Sequence, residues 1–98
     1  MWRGDIRNNS NREYFVKNFH TSPLLDIGQT SPKKDVPWMK SFMSINNQLD
    51  YKFIFCLEGK CISTNLYWAM SSNSVCVMPK PKFESWFMEG KLKNGVHY

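Results

Sequence analysis

A chain of 98 residues holds at most one small domain with a limited core. A hydrophobic fraction of 42% with 15% aromatics excludes a disordered chain. The net charge of +5 comes from 13 Lys and Arg against 8 Asp and Glu, with no block of five or more basic residues. That argues against a dedicated nucleic-acid surface and suits either solubility or an anionic ligand such as a phosphate.

The opening residues, MWRGDIRNNSN, are polar and lack the apolar segment of a signal peptide. Ser10, Asn11, Arg12 and Glu13 fit a capping box, which predicts a helix over residues 11–19 with Phe15 and Phe19 on one face. Residues 20–23 end it, residues 24–28 read as a short strand, and residues 29–34 as loop. A second helix is expected from residues 35–37, with Pro37 in its first turn and Trp38, Met39, Phe42 and Met43 at core spacing. Asn46 and Asn47 weaken it.

Residues 51–57 form a nearly unbroken apolar run with aromatics, which reads as a strand buried on both faces. Ser63 and Thr64 can cap a third helix, in which Leu66, Ala69 and Met70 make the apolar stripe. Residues 75–78 are a second buried strand, closed by Pro79 and Pro81. Residues 83–88 read as a short helix with Gly90 beyond it, and Asn94 with Gly95 as a turn. Residues 51–78 thus predict strand, tight turn, helix and strand: an α/β fold, a Rossmann-like βαβ unit with parallel strands and a right-handed crossover. No run approaches the roughly 18 apolar residues of a membrane span.

Three cysteines, an odd number, show neither C-x-x-C nor zinc spacing. Cys56 and Cys76 lie in apolar runs, where Cys acts as a small buried hydrophobe, and a reducing, cytoplasmic compartment is expected. His20 and His97 stand apart from any nucleophile or metal-ligand pattern and read as structural or solvent-facing. Glu84 and Glu89 make no paired-carboxylate signature. Trp68 and Trp86 read as packing residues.

One stretch carries chemistry. In parallel α/β sheets ligands sit beyond the carboxyl ends of strands, where the next helix begins. Residues 57–65, LEGKCISTN, occupy that place. Gly59 allows close backbone approach, the helix N–H groups face an anion, and Ser63, Thr64, Asn65 and Lys60 add polar contacts. The same residues serve equally as a locally capped strand-to-helix corner. Arg3, in Trp2-Arg3-Gly4, offers a planar fork for phosphate oxygens or a merely solvated charge.

The order Trp-Arg-Gly, YKFIFCLEG, STNLYWAMSSNSVCVMPKPKFESWFMEGKL and GVHY resembles glycosyltransferase family 90, closest to its bacterial lipopolysaccharide-modifying branch. The likeness runs over essentially the whole chain and is strongest over residues 51–98. It implies a GT-B architecture of two Rossmann-like domains, of which residues 1–98 are one partial, donor-side domain. It implies metal-independent transfer, without cofactor, from a nucleotide-diphosphate sugar to a lipopolysaccharide or related glycan acceptor. Arg3 would help hold the donor diphosphate, and Glu58, Gly59, Ser63, Thr64 and Asn65 would line the donor pocket. The branch reads Glu-Gly-Asn-Asp before the helix and a Lys before the Trp; here Lys60, Cys61 and Tyr67 stand instead. The proposed catalytic acid of the family lies upstream of Trp-Arg-Gly, so the catalytic residues are unknown. The chain is expected to be a truncated member, inactive alone. Its expected place is the cytoplasm, with peripheral contact at the inner membrane left open. No nucleic-acid partner is expected. A small basic RNA- or polyanion-binding module and a non-catalytic interaction fragment are the alternative readings.

Overall fold

The computed structural model describes all of residues 1–98, which divide into two compact units, Met1–Gln48 and Leu49–Tyr98. No helix is long and apolar enough to cross a membrane.

The first unit is itself a β-α-β arrangement. Strands β1 (Trp2–Asp5) and β2 (Ile27–Ser31) pair in parallel, Trp2 opposite Ile27 and Arg3 opposite Gly28, with helix α1 (Ser10–Phe19) between them in sequence. Trp2, Val16 and Ile27 are buried together with Met1 and Ile6. The Phe15 ring lies edge-on to Trp2 at 6.3 Å and tilted against Phe19 at 5.5 Å, as the four-residue spacing predicts.

Three expectations in this unit are corrected. The helix cap is Asn9, not Ser10: Asn9 is extended (φ −130°, ψ 102°) and its Oδ1 accepts from the Arg12 N–H at 2.9 Å. Glu13 turns to Lys17 at 2.8 Å, so no capping box closes. The strand expected over 24–28 sits at Ile27–Ser31, because β1 recruits residues whose backbone it can pair; Leu24 is left 90% exposed. The helix expected through residues 38–43 is absent. The outer edge of β2 claims that backbone instead: Gln29 N–H donates to the Trp38 carbonyl at 3.0 Å and Gln29 O accepts from the Lys40 N–H at 2.9 Å. The buried Gln29 side chain closes the loop by donating to the Pro32 carbonyl and accepting from the Trp38 indole N–H at 2.9 Å. A lateral ladder and an i to i+4 ladder cannot use the same N–H and C=O groups. Only the four-residue helix α2 (Ile45–Gln48) follows, and it contains Asn46 and Asn47.

The second unit matches the expected β-α-β order. Strands β3 (Phe53–Phe55) and β4 (Val75–Val77) are parallel, with Ile54 opposite Cys76, and helix α3 (Asn65–Met70) lies between them in sequence. The strands are not buried on both faces. Ile54 and Cys76 are buried, while Phe53 and Val75 are 51% and 42% exposed, because α3 covers one face of a two-stranded sheet. Leu66 and Ala69 are the buried stripe of α3. Cys56 and Cys76 are buried side by side as free thiols; the hydrogen bond between them, then burial, holds Cys56 well above the usual thiol range.

The helix expected over 83–88 gives way to turns and a single 3-10 turn at Glu89–Lys91. Met88 is left-handed (φ 58°), a conformation through which a right-handed helix cannot continue. Trp86 is 78% exposed rather than packed inside, with its ring 5.2 Å from Tyr67 and 5.7 Å from Phe87. The Asn94–Gly95 turn forms as expected, with Gly95 at φ 77°.

Candidate functional site

In the second unit, residues 57–64 leave the carboxyl end of β3 and residues 78–83 leave the carboxyl end of β4, so two loops meet at one end of a parallel pair. Glu58 ties them together. Its Oε1 accepts from the Lys82 N–H at 2.9 Å and the Phe83 N–H at 3.3 Å. Asn65 ties the start of α3 to the strand: its Nδ2 donates to the Phe55 carbonyl at 2.9 Å, and its Oδ1 accepts from the Ser63 hydroxyl.

Glu58, Gly59, Ser63, Thr64 and Asn65 are thus brought to one corner, but their local roles differ from simple capping. Thr64 is the cap residue yet is already helical (φ −64°, ψ −24°), and its side chain makes no cap hydrogen bond. Ser63 is buried and spends its proton on Asn65, while its carbonyl accepts from the Leu66 N–H at 3.1 Å. Gly59 does not use the left-handed region, and its N–H donates to the Cys61 carbonyl at 3.1 Å. Lys60, Cys61 and Thr64 form the exposed side of the corner. Beneath it, Glu58, Ser63, Glu89 and Pro79 help enclose a cavity of about 10 Å³, room for a single water.

Glu89, set aside in the sequence together with Glu84, is the buried carboxylate of this unit, 1% exposed. Its Oε2 accepts from the Ser85 N–H at 2.7 Å and its Oε1 from the Ser85 hydroxyl at 2.6 Å, while the Tyr67 hydroxyl stands 3.0 Å from Ser85 Oγ. Burial pushes the Glu89 carboxyl up; hydrogen bonds from the Ser85 hydroxyl, the Ser85 N–H and the backbone of Glu89 outweigh it, and the group titrates below its ordinary 4.5. The pair left no signal in the sequence, where the helix expected over 83–88 stops before Glu89.

Arg3 lies in the other unit and is not a free surface charge. Its side chain is 8% exposed, and its Nη2 donates to Asp26 Oδ1 at 2.7 Å. Nη1 donates to the Trp2 and Asp26 carbonyls at 3.1 and 3.3 Å. Lys40 Nζ reaches the same Asp26 oxygen at 2.7 Å. Asp26 and Lys40 are partners that sequence reading missed, because their separation of 14 residues carries no local pattern.

The two histidines are structural. His20 Nδ1 lies 3.0 Å from the Val16 carbonyl, with its ring against Trp38, and His97 Nδ1 accepts from the Lys93 N–H at 2.8 Å.

No protein-family model matches the chain, and no solved structure matches it. Among curated proteins it is similar to the O-glucosyltransferase LpsA of Dichelobacter nodosus, at 46% identity over 99 residues. That alignment takes in all of this chain and 31% of the relative, so the chain spans about a third of the length of the glucosyltransferase it matches.

Proposed function

We propose that the chain is the donor-side part of a glycosyltransferase of family 90, with a partial Rossmann-like domain of GT-B type. The reaction is transfer of a hexosyl group from a nucleotide-diphosphate sugar to a hydroxyl of lipopolysaccharide or a related glycan. The observation that carries this reading is the 46% identity to an O-glucosyltransferase over the full chain. The parallel β-α-β corner supports it, since such corners are where α/β folds take phosphorylated ligands.

In this reading Arg3, already bonded to Trp2 and Asp26, supplies positive charge to the donor diphosphate. Glu58, Gly59, Ser63, Thr64 and Asn65 shape the donor pocket, with Glu58 and Asn65 fixing the loops and the exposed Thr64 facing the ligand. Preorganised loops cost little reorganisation when charge develops on the leaving diphosphate. No cofactor or metal takes part. The protein works in the cytoplasm, at or near the cytoplasmic face of the inner membrane, where a lipid-linked acceptor is presented.

Catalysis needs donor and acceptor held together. The 98-residue chain is therefore expected to bind donor without forming product. Incubation of the purified chain with UDP-glucose and a lipopolysaccharide core acceptor checks both halves. Saturable donor binding with no transferred glucose is the expected result. Robust product from the chain alone overturns the inactive assignment, and absence of any UDP-sugar binding overturns the donor-side reading.

A further inference from the structure

The first unit carries an open groove of about 770 Å³ whose walls include Arg3, Lys33, Lys40, Phe42 and Asn47. Two of its three cations stand on one acid, since Asp26 Oδ1 accepts from both Arg3 and Lys40 at 2.7 Å. Lys33 makes no ion pair. Three cations therefore border the groove against one carboxylate, an excess that a bound anion would offset.

Two of the cations, Lys40 and Arg3, are also held in place. Gly28 is the reason for Lys40: a Cβ there would come within 2.6 Å of the Lys40 Cβ, Cγ and Cδ, so the lysine stem lies directly over the bare glycine backbone. Arg3 is fixed by its hydrogen bonds to the Trp2 carbonyl, the Asp26 carbonyl and the Asp26 carboxylate, and its Nε is buried with no hydrogen-bond partner. Lys40 spends one of its three N–H groups on Asp26, and Lys33 spends none there. Lys40, fixed yet with unused donors, binds an anion at low ordering cost, and the exposed Lys33 adds a donor from the groove rim. Phe42, 81% exposed on the same groove, adds an uncovered aromatic face.

We propose that this groove binds the phosphate of an organic phosphate, with Lys33 and Lys40 in direct contact, Arg3 as supporting charge and Phe42 against the ligand's organic part. The inference rests on the donor reading only in sharing Arg3. Lys33, Lys40 and Phe42 extend it to residues that neither the motif nor the strand-to-helix corner contains. The phosphate can belong to the nucleotide donor or to a phosphorylated sugar of the acceptor, and the two sources are separable.

Calorimetric titration of the 98-residue chain at low salt tests it, with inorganic pyrophosphate, UDP, glucose 6-phosphate and unphosphorylated glucose as probes. Pyrophosphate and at least one organic phosphate are expected to bind saturably, and glucose not at all. Lys33→Ala and Lys40→Met are each expected to weaken phosphate binding roughly tenfold, the worth of about one charged contact. Lys33 is exposed, so its variant keeps the fold even where Lys40→Met does not. Phe42→Ala is expected to weaken the organic phosphate and spare pyrophosphate. Preference for UDP assigns the donor, and preference for glucose 6-phosphate assigns the acceptor. No saturable phosphate binding, or an equal loss from the control Lys34→Ala, a neighbouring lysine that does not line the groove, overturns the proposal. Pyrophosphate binding that depends on Lys33, without retention of any UDP-sugar, keeps the groove and sinks the donor reading.

Discussion

Glu89 shows how a carboxylate survives at 1% exposure: Ser85 gives it both a backbone and a hydroxyl proton. These bonds favour the ionised form, which is why the folded pKa falls below 4.5 despite burial. The linkage follows from that direction. A group whose folded pKa is depressed contributes stability above its unfolded pKa and loses it as pH falls through the folded value. Urea unfolding followed from pH 7 down to pH 3 should therefore show a loss that begins near 4.5 and continues below it. Glu89→Gln should cost about 1–3 kcal/mol at pH 7, because the amide cannot accept both Ser85 protons, and should flatten the acid slope. An unchanged slope in the variant would place the acid sensitivity elsewhere. Arg3 poses the same question for a cation in the first unit. Its guanidinium is held by internal partners much as the Glu89 carboxylate is, and it shares its Asp26 partner with Lys40.

Among the elements, helix α1 is the sharpest case of competing caps. Ser10 and Glu13 have the right spacing, but Asn8 at φ 53° turns the chain one residue earlier, and Asn9 takes the cap. Asn9→Ala should cost about 1 kcal/mol and Ser10→Ala much less, measured by thermal unfolding. The reverse order would restore the capping box. The β3-α3-β4 order was legible because residues 51–57 and 75–78 are short apolar runs closed by Glu58-Gly59 and Pro79, and Leu66 and Ala69 keep helical spacing between them. Strand β1 was not legible. Trp2, Arg3, Gly4 and Asp5 show no apolar run, and only pairing with residues 27–31 makes them a strand. Residues 38–43 misled for a different reason. Trp38, Met39, Phe42 and Met43 satisfy the helical stripe, but the open edge of β2 offered hydrogen bonds that periodicity does not register. Of the candidate site, the corner holding Glu58 to Asn65 could be found from strand-turn-helix order. The partners that hold those side chains, and the Asp26 beneath Arg3, could not, because they are long-range.

At the scale of the whole molecule, exposed aromatics set the solution behaviour. Tyr14, Phe42, Phe53, Phe83 and Trp86 are all more than two-fifths exposed, and each sheet has only two strands. Short parallel pairs leave unpaired edge groups, and uncovered apolar side chains favour self-association. Sedimentation should show concentration-dependent association of the 98-residue chain; a monodisperse monomer with a sharp cooperative melt would contradict this. Both sheets are also built wholly from parallel partners far apart in sequence. Residue 2 meets residue 27, and residue 53 meets residue 75. No hairpin can seed either of them, so loop closure over more than twenty residues precedes the first strand contact. During synthesis β1 must wait for residue 27 and β3 for residue 75 to leave the ribosome, and until then Trp2 and Ile54 have no strand to lie beside.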